Sequence, residues 1–130
     1  MPIRPEFRWL YPIDWPQLSA LVRFRRAKGA CQCCGRPHGQ IVCVLSDGRW
    51  WDGARKAWRD SAGRVLRSSP TAAEASSLRT TRVILAAAHR DHDPTNNRLR
   101  NLIALCQRCH MAHDRLEHRR RRLITLFRRK

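Results

Sequence analysis

Acidic side chains are scarce in this chain, and long apolar runs are missing. Asp and Glu number 10 against 27 Lys and Arg, which leaves a formal charge of +17. Such a surplus favours a polyanionic partner, because binding releases condensed counterions. DNA is the expected partner, and RNA is compatible with the same charge. No apolar run is long enough to cross a bilayer, so a membrane partner is not expected. Met1-Pro-Ile-Arg-Pro-Glu6 lacks the apolar core of a secretory signal, which makes the cytoplasm the expected compartment. Lysine is also rare, with only Lys28, Lys56 and Lys130. The positive charge is therefore arginine, whose planar fork suits bidentate phosphate contacts. At 130 residues and 42% hydrophobic content the chain has room for one small globular domain and not for two. There is no internal repeat, and the oligomeric state is open.

Six cysteines in a cytoplasmic chain read as metal ligands rather than disulfides. Cys31/Cys34 and Cys106/Cys109 form two Cys-x-x-Cys pairs at zinc-ligand spacing, the second directly before His110. The interval between them requires a folded insertion that brings the pairs together around a structural Zn²⁺. Cys33 is a possible substitute ligand, although Cys-x-x-Cys followed by Gly35 is the commoner knuckle. Cys43, in Ile41-Val-Cys-Val-Leu45, reads as a buried strand residue.

Along the chain, residues 1–30 form an N-terminal arm and helix. The Pro- and aromatic-rich stretch 1–13 reads as an extended arm. Asp14 stands where an N-cap belongs, Pro16 falls in the first turn, Leu18, Leu21 and Val22 repeat at helical spacing, and Gly29 ends the helix. Residues 31–80 form the knuckle and a β-rich insertion, with strands expected at 41–45, 49–51, 56–59 and 64–67. Trp50, Trp51 and Trp58, interleaved with arginines, suit either base stacking or packing of the sheet. Stretch 68–80 reads as a mobile loop with one helical turn. Residues 81–114 read as a strand running from Thr81 straight into His89, a turn at Asp93-Pro-Thr-Asn-Asn97, a returning strand at 102–105 and a helix from about Cys106. The basic segment 115–130 continues that helix. The expected class is α+β: a single small domain with a zinc knuckle, a β-rich insertion and a C-terminal ββα unit.

Residues 89–114 concentrate groups that bind metal and move protons. His110 and Asp114 are four apart, so both project from one helix face and can share an ion. A second ion there, unlike a closed Cys₄ site, keeps positions open for phosphate and water. A neutral imidazole from the hairpin can take a proton from the attacking water, since its pKa lies near neutrality. A carboxamide such as that of Asn101 can hold that imidazole or its loop in place. His113 and His118 read as solvated helix residues, and His38 as decoration of the knuckle loop.

Cys31-x-x-Cys34, His89, Asn101-Leu-Ile-Ala-Leu105 and Cys106-Gln-Arg-Cys-His110 together resemble the HNH (ββα-metal) endonucleases, notably the small stand-alone type of phages and bacteria. The resemblance covers the last third of the chain and the knuckle. It implies metal-dependent, one-metal hydrolysis of DNA phosphodiesters in a bacterial cytoplasm or a phage-infected host. By the resemblance, His89 is the general base, Asn101 orients it, and His110 binds the catalytic divalent cation (Mg²⁺, Mn²⁺, Ni²⁺ or Zn²⁺), with Asp114 beside it. The family places Asp or His before its base, whereas Ala88 precedes His89 here. Asp91 or His92 then supplies the missing ligand; alternatively His92 is the base and Asp91 the ligand. Arg90, Arg98, Arg100, Arg108 and Arg119 to Arg122 are the expected nucleic-acid contacts. In the tail, Leu116, Leu123, Leu126 and Phe127 are expected to pack on the domain. Ala88 also leaves room for a non-catalytic zinc-ribbon module that only binds nucleic acid.

Overall fold

Two antiparallel sheets and two helices build an α+β fold. The computed structural model describes residues 3–128, apart from the side chain of Leu116. Met1, Pro2, Arg129 and Lys130, which the sequence assigns to arm and tail, lie outside the described residues.

The N-terminal arm is not extended throughout. Pro5–Leu10 is a 3-10 helix, closed by Phe7 N–H to the Arg4 carbonyl (2.9 Å) and Tyr11 N–H to the Arg8 carbonyl (3.1 Å). Helix α1, Trp15–Ala20, begins after Asp14, which makes no side-chain cap, and carries Pro16 in its first turn. It widens into a π-helical turn, Leu21–Arg26. The bond from Ala27 N–H to the Val22 carbonyl, 3.1 Å, closes that wider ring. Lys28 and Gly29 then both take positive φ, 57° and 75°, which no helix continues through.

The first sheet has the order β3-β2-β1-β4, with β1 Ile41–Val44, β2 Trp50–Asp52, β3 Ala57–Arg59 and β4 Arg79–Arg82. In β1, Val42 and Val44 are buried while Ile41 is exposed, the period-two pattern of a strand covered on one face. The expected strand at 64–67 shrinks to a single bridge between Arg59 and Val65. β4 is an edge whose arginines discourage pairing with another chain.

The expected strand from Thr81 into His89 is two strands in two sheets. After Arg82 the chain leaves the first sheet, and Ala86–His89 (β5) pairs with Leu102–Leu105 (β6), His89 opposite Leu102. Side chains cap the backbone in between. Ile84 N–H donates to Gln107 Oε1 (3.1 Å) and Leu85 N–H to His38 Nδ1 (3.0 Å). Donors that would otherwise bond a strand neighbour are thus consumed locally. His38 is therefore a structural acceptor, also packed edge-on against Phe24 at 5.0 Å, and not loop decoration. The alanines of β5 give it a surface without bulk, and both α1 and α2 pack on it.

Val22, Val42, Val44, Trp50, Val83, Leu85, Leu102 and Leu105 form the core, continuous with Cys31, Cys34 and Cys106. Trp50 settles the choice left open for it: it is buried, and its indole N–H donates to the Cys34 carbonyl at 3.1 Å. Trp51 and Trp58 meet edge to face at 5.7 Å across β2 and β3. Helix α2, Gln107–Arg128, runs off the hairpin. Leu123, Leu126 and Phe127 are exposed, so their expected packing on the domain does not occur. The reason lies in reach: α2 packs on β5 and β6 and is tied to the fold through Gln107, Arg108, His113 and Asp114 in its first turns, before these residues. Among the described residues, no helix is long and apolar enough to cross a membrane.

Candidate metal centre and histidine cleft

The two Cys-x-x-Cys pairs meet. Gln32 joins the knuckle to β6, donating its N–H to the Ala104 carbonyl (2.9 Å) and accepting the Ala104 N–H on Oε1 (2.8 Å). The sulfurs of Cys31, Cys34, Cys106 and Cys109 all lie within 4.8 Å of one another, and Cys34 and Cys106 are 3.6 Å apart. Tetrahedral zinc with Zn–S of about 2.3 Å requires sulfurs about 3.8 Å apart, so the cluster fits a zinc ion. Without one, four thiols must share protons. Hydrogen bonds from Cys106, Cys109 and Cys34 pull the Cys31 thiol far below the usual range. Hydrogen bonding with Cys106 pushes Cys34 and Cys109 far above it. Cys106, bonded chiefly by Cys109, falls to about 7. A divalent cation lets all four ionise together. Cys33 is exposed and stands outside the cluster.

Beside the β5–β6 hairpin lies a cleft of about 490 Å³, walled by Phe7, Tyr11, His89, His92, His110 and Asp114 among others. His89, 8% exposed, ends β5. Trp15 stacks flat on its ring (5.2 Å, 13°) and Tyr11 meets it edge-on at 5.7 Å. His89 Nε2 lies 2.9 Å from Asn97 Oδ1, and the amide of Asn97 donates to the Pro94 carbonyl at 3.1 Å. That second bond fixes which amide atom faces the ring. Nε2 of neutral His89 therefore carries the proton, and Nδ1 is the basic nitrogen.

Opposite it, α2 presents His110, His113 and Asp114 at i, i+3 and i+4. His110 Nε2 lies 3.2 Å from Asp114 Oδ2, and His92 Nδ1 lies 3.2 Å from Asp114 Oδ1. His92 reaches the helix because its backbone sits in the left-handed region, φ 62°. Its ring stacks on His113 at 4.3 Å. His113 Nε2 donates to the His89 carbonyl (3.0 Å), which leaves Nδ1 as its lone-pair nitrogen. Donor atoms of His92, His113 and Asp114 lie within 4.8 Å of one another, a donor set that fits a divalent ion. His110, the expected ligand, stands outside that trio and meets it through Asp114; burial pushes its imidazolium pKa down, against the pull of Asp114. Burial, aided by the Asp114 charge, raises that of Tyr11, so its phenol keeps its proton.

Three expectations need correction. Asn101 does not touch His89. Its amide donates to Asp91 Oδ1 (2.9 Å) and the Asn96 carbonyl (2.8 Å), so it braces the loop, and Asn97 holds the imidazole. Asp91 is not among the clustered donors. Its carboxylate accepts the Asp93 N–H and the amides of Asn96 and Asn101, which hold its pKa at about 2. His113 is part of the cluster rather than a solvated residue; the i, i+3, i+4 spacing with His110 and Asp114 carried that signal. Asn97 had none, because Asn96, Asn97 and Asn101 are indistinguishable before the loop folds.

Of the expected arginine contacts, Arg90, Arg98, Arg100, Arg119 and Arg122 are exposed. Arg121 reaches the cleft and pairs with Glu117 at 3.3 Å, and Arg120 lies 3.9 Å from the same carboxylate. Arg108 is committed elsewhere: its guanidinium lies against Gly48 and donates to the Ser46 carbonyl at 3.3 Å. Arg26 is an unforeseen brace, donating to the Leu99 and Leu102 carbonyls.

No family model, curated protein or solved structure matches this chain.

Proposed function

We propose that the chain is a metal-dependent endonuclease of the HNH type that hydrolyses DNA phosphodiesters. One observation carries this reading: a histidine whose Nδ1 is left basic by Asn97 shares a cleft with a His–Asp cluster suited to a divalent cation. Asp114 with His92 and His113 would hold that cation, with His110 on the second Asp114 oxygen beside them, and the four cysteines would hold a structural zinc. The bound cation supplies Lewis acidity at the phosphate and the leaving oxygen. His89 Nδ1 takes a proton from water as its oxygen bonds to phosphorus. The opposite P–O ester bond breaks, and the leaving oxygen is protonated from solvent. Asn97 keeps the His89 tautomer, while Trp15 and Tyr11 keep its plane. Asn101 and Asp91 hold the loop that carries His92. The charge of +17 gives affinity without sequence readout.

The test is cleavage of an end-labelled DNA oligonucleotide by the zinc-loaded protein with added Mg²⁺, Mn²⁺, Ni²⁺ or Zn²⁺ against no added metal, for wild type and Asp114→Asn. Metal-dependent cleavage that falls by about 10²-fold or more in the variant supports the reading. Salt-sensitive binding with no cleavage under any metal makes the protein a binding module instead.

A further inference from the structure

The cleft has two unlike walls. One is the His–Asp cluster; the other is the 3-10 helix Pro5–Leu10, whose role the catalytic reading leaves unassigned. A 3-10 helix repeats every three residues, so Phe7 and Leu10 share a face. That face lines the cleft. Trp9 stands on another face, 79% exposed, with its indole N–H tied to the Glu6 carbonyl at 2.9 Å, so the ring is a fixed plate rather than a loose one. Arg4 and Arg8 flank these aromatics and are exposed. Exposed apolar rings are costly to keep in water, and here they alternate with cations beside a basic nitrogen.

We infer that Phe7, Trp9, Arg4 and Arg8 form a landing strip for an unpaired DNA strand, feeding one unstacked nucleotide into the cleft. Aromatic faces stack on bases only when the bases are not paired inside a duplex, and cations along the same segment meet the backbone phosphates. A duplex offers its phosphates to a basic surface and has no use for this wall. The cleft, at about 490 Å³, lies in the range that admits a small ligand such as one nucleotide. The choice of DNA over RNA rests on the nuclease reading, but binding tests the strand preference without any catalysis.

The experiment is fluorescence anisotropy of the zinc-loaded protein with no other divalent cation added, using labelled single-stranded DNA, the matching duplex and single-stranded RNA of the same sequence. Wild type is compared with Phe7→Ala, Trp9→Ala and Arg8→Ala. Tighter binding of single-stranded DNA than of either rival is expected. Phe7→Ala and Trp9→Ala should each weaken it about tenfold, the size that loss of one stacked base gives, with duplex binding hardly changed. Arg8→Ala should weaken it and flatten its salt dependence. Equal affinity for duplex, tighter binding of RNA, or aromatic variants that bind like wild type overturns the inference. A preference for single strands in a protein that cleaves nothing would uphold it and refute the nuclease reading, so the two fail separately.

Discussion

Removing the metal from the cysteine cluster should cost the protein most of its stability. Cys31, Cys34 and Cys106 are part of the core, and the cluster ties the knuckle to the start of α2 across 72 residues of sequence. A folded domain of 130 residues is stable by about 7–20 kcal/mol, at roughly 0.05–0.15 kcal/mol per residue. A structural zinc contributes on the order of 10–16 kcal/mol at neutral pH. The two are comparable, so chelation should leave little cooperative structure. Even a loss of about 5 kcal/mol lowers Tm by about 20 °C for a chain of this size. The perturbations are a strong chelator and Cys106→Ser, with Cys33→Ser as control because Cys33 is exposed and outside the cluster. Calorimetric melts are read beside the zinc content per chain. Retention of Tm within a few degrees after zinc is gone would refute the reasoning, as would a Cys33→Ser variant that behaves like Cys106→Ser.

Asn97→Ala should release the His89 tautomer. Long-range ¹⁵N–¹H spectra, showing Nε2–H in wild type, should show a mixture in the variant, and an unchanged pure Nε2–H form would contradict the role given to Asn97. Gly63→Ala should destabilise by about 2 kcal/mol, because φ is +86° and a Cβ would meet the Cys34 carbonyl oxygen at 2.9 Å. Gly39→Ala, with φ +80° and open space, should cost about half that; equal costs in denaturant melts would remove the contact from the account. The Asp91 carboxyl sits at about 2, below its ordinary 3.8, through the Asp93 N–H and then the amides of Asn96 and Asn101. Its contribution to loop order is present above about pH 4 and lost as pH falls toward 2. Amide hydrogen exchange over 91–97 should therefore quicken, beyond the intrinsic rate change, between those values.

Much of this was readable in advance where local chemistry decides. The two Cys-x-x-Cys pairs announce their own meeting, because buried thiols at that spacing have few other uses. The hairpin and the helix behind it follow from Ala86–His89, Leu102–Leu105 and the His110/Asp114 spacing. The failures lie where a side chain replaces a backbone partner. Thr81 to His89 is apolar enough to read as one strand, and only His38 and Gln107, distant in sequence, end the first sheet after Arg82. Asn97 rather than Asn101 meets His89 because of how the loop folds back through the Pro94 carbonyl, a contact that no spacing encodes. The tail misled in the opposite way: Leu123, Leu126 and Phe127 look like a packing face, yet α2 has run past the domain by the time it reaches them.

The central claim is that His89 activates water beside the His92–Asp114 cluster, and nicking of supercoiled plasmid tests it most directly. Zinc-loaded wild type, His89→Ala and His92→Ala are compared with Mg²⁺, Mn²⁺, Ni²⁺ or no added metal. The account predicts metal-dependent nicking that disappears in His89→Ala, a loss of about 10²–10⁴-fold for a general base. Weak nicking should survive in His92→Ala, where His110, His113 and Asp114 remain. Nicking that persists without His89 and vanishes without His92 would move the base to the loop. Absence of nicking with every metal, together with no cleavage of a single-stranded oligonucleotide while both are still bound, would contradict the claim outright.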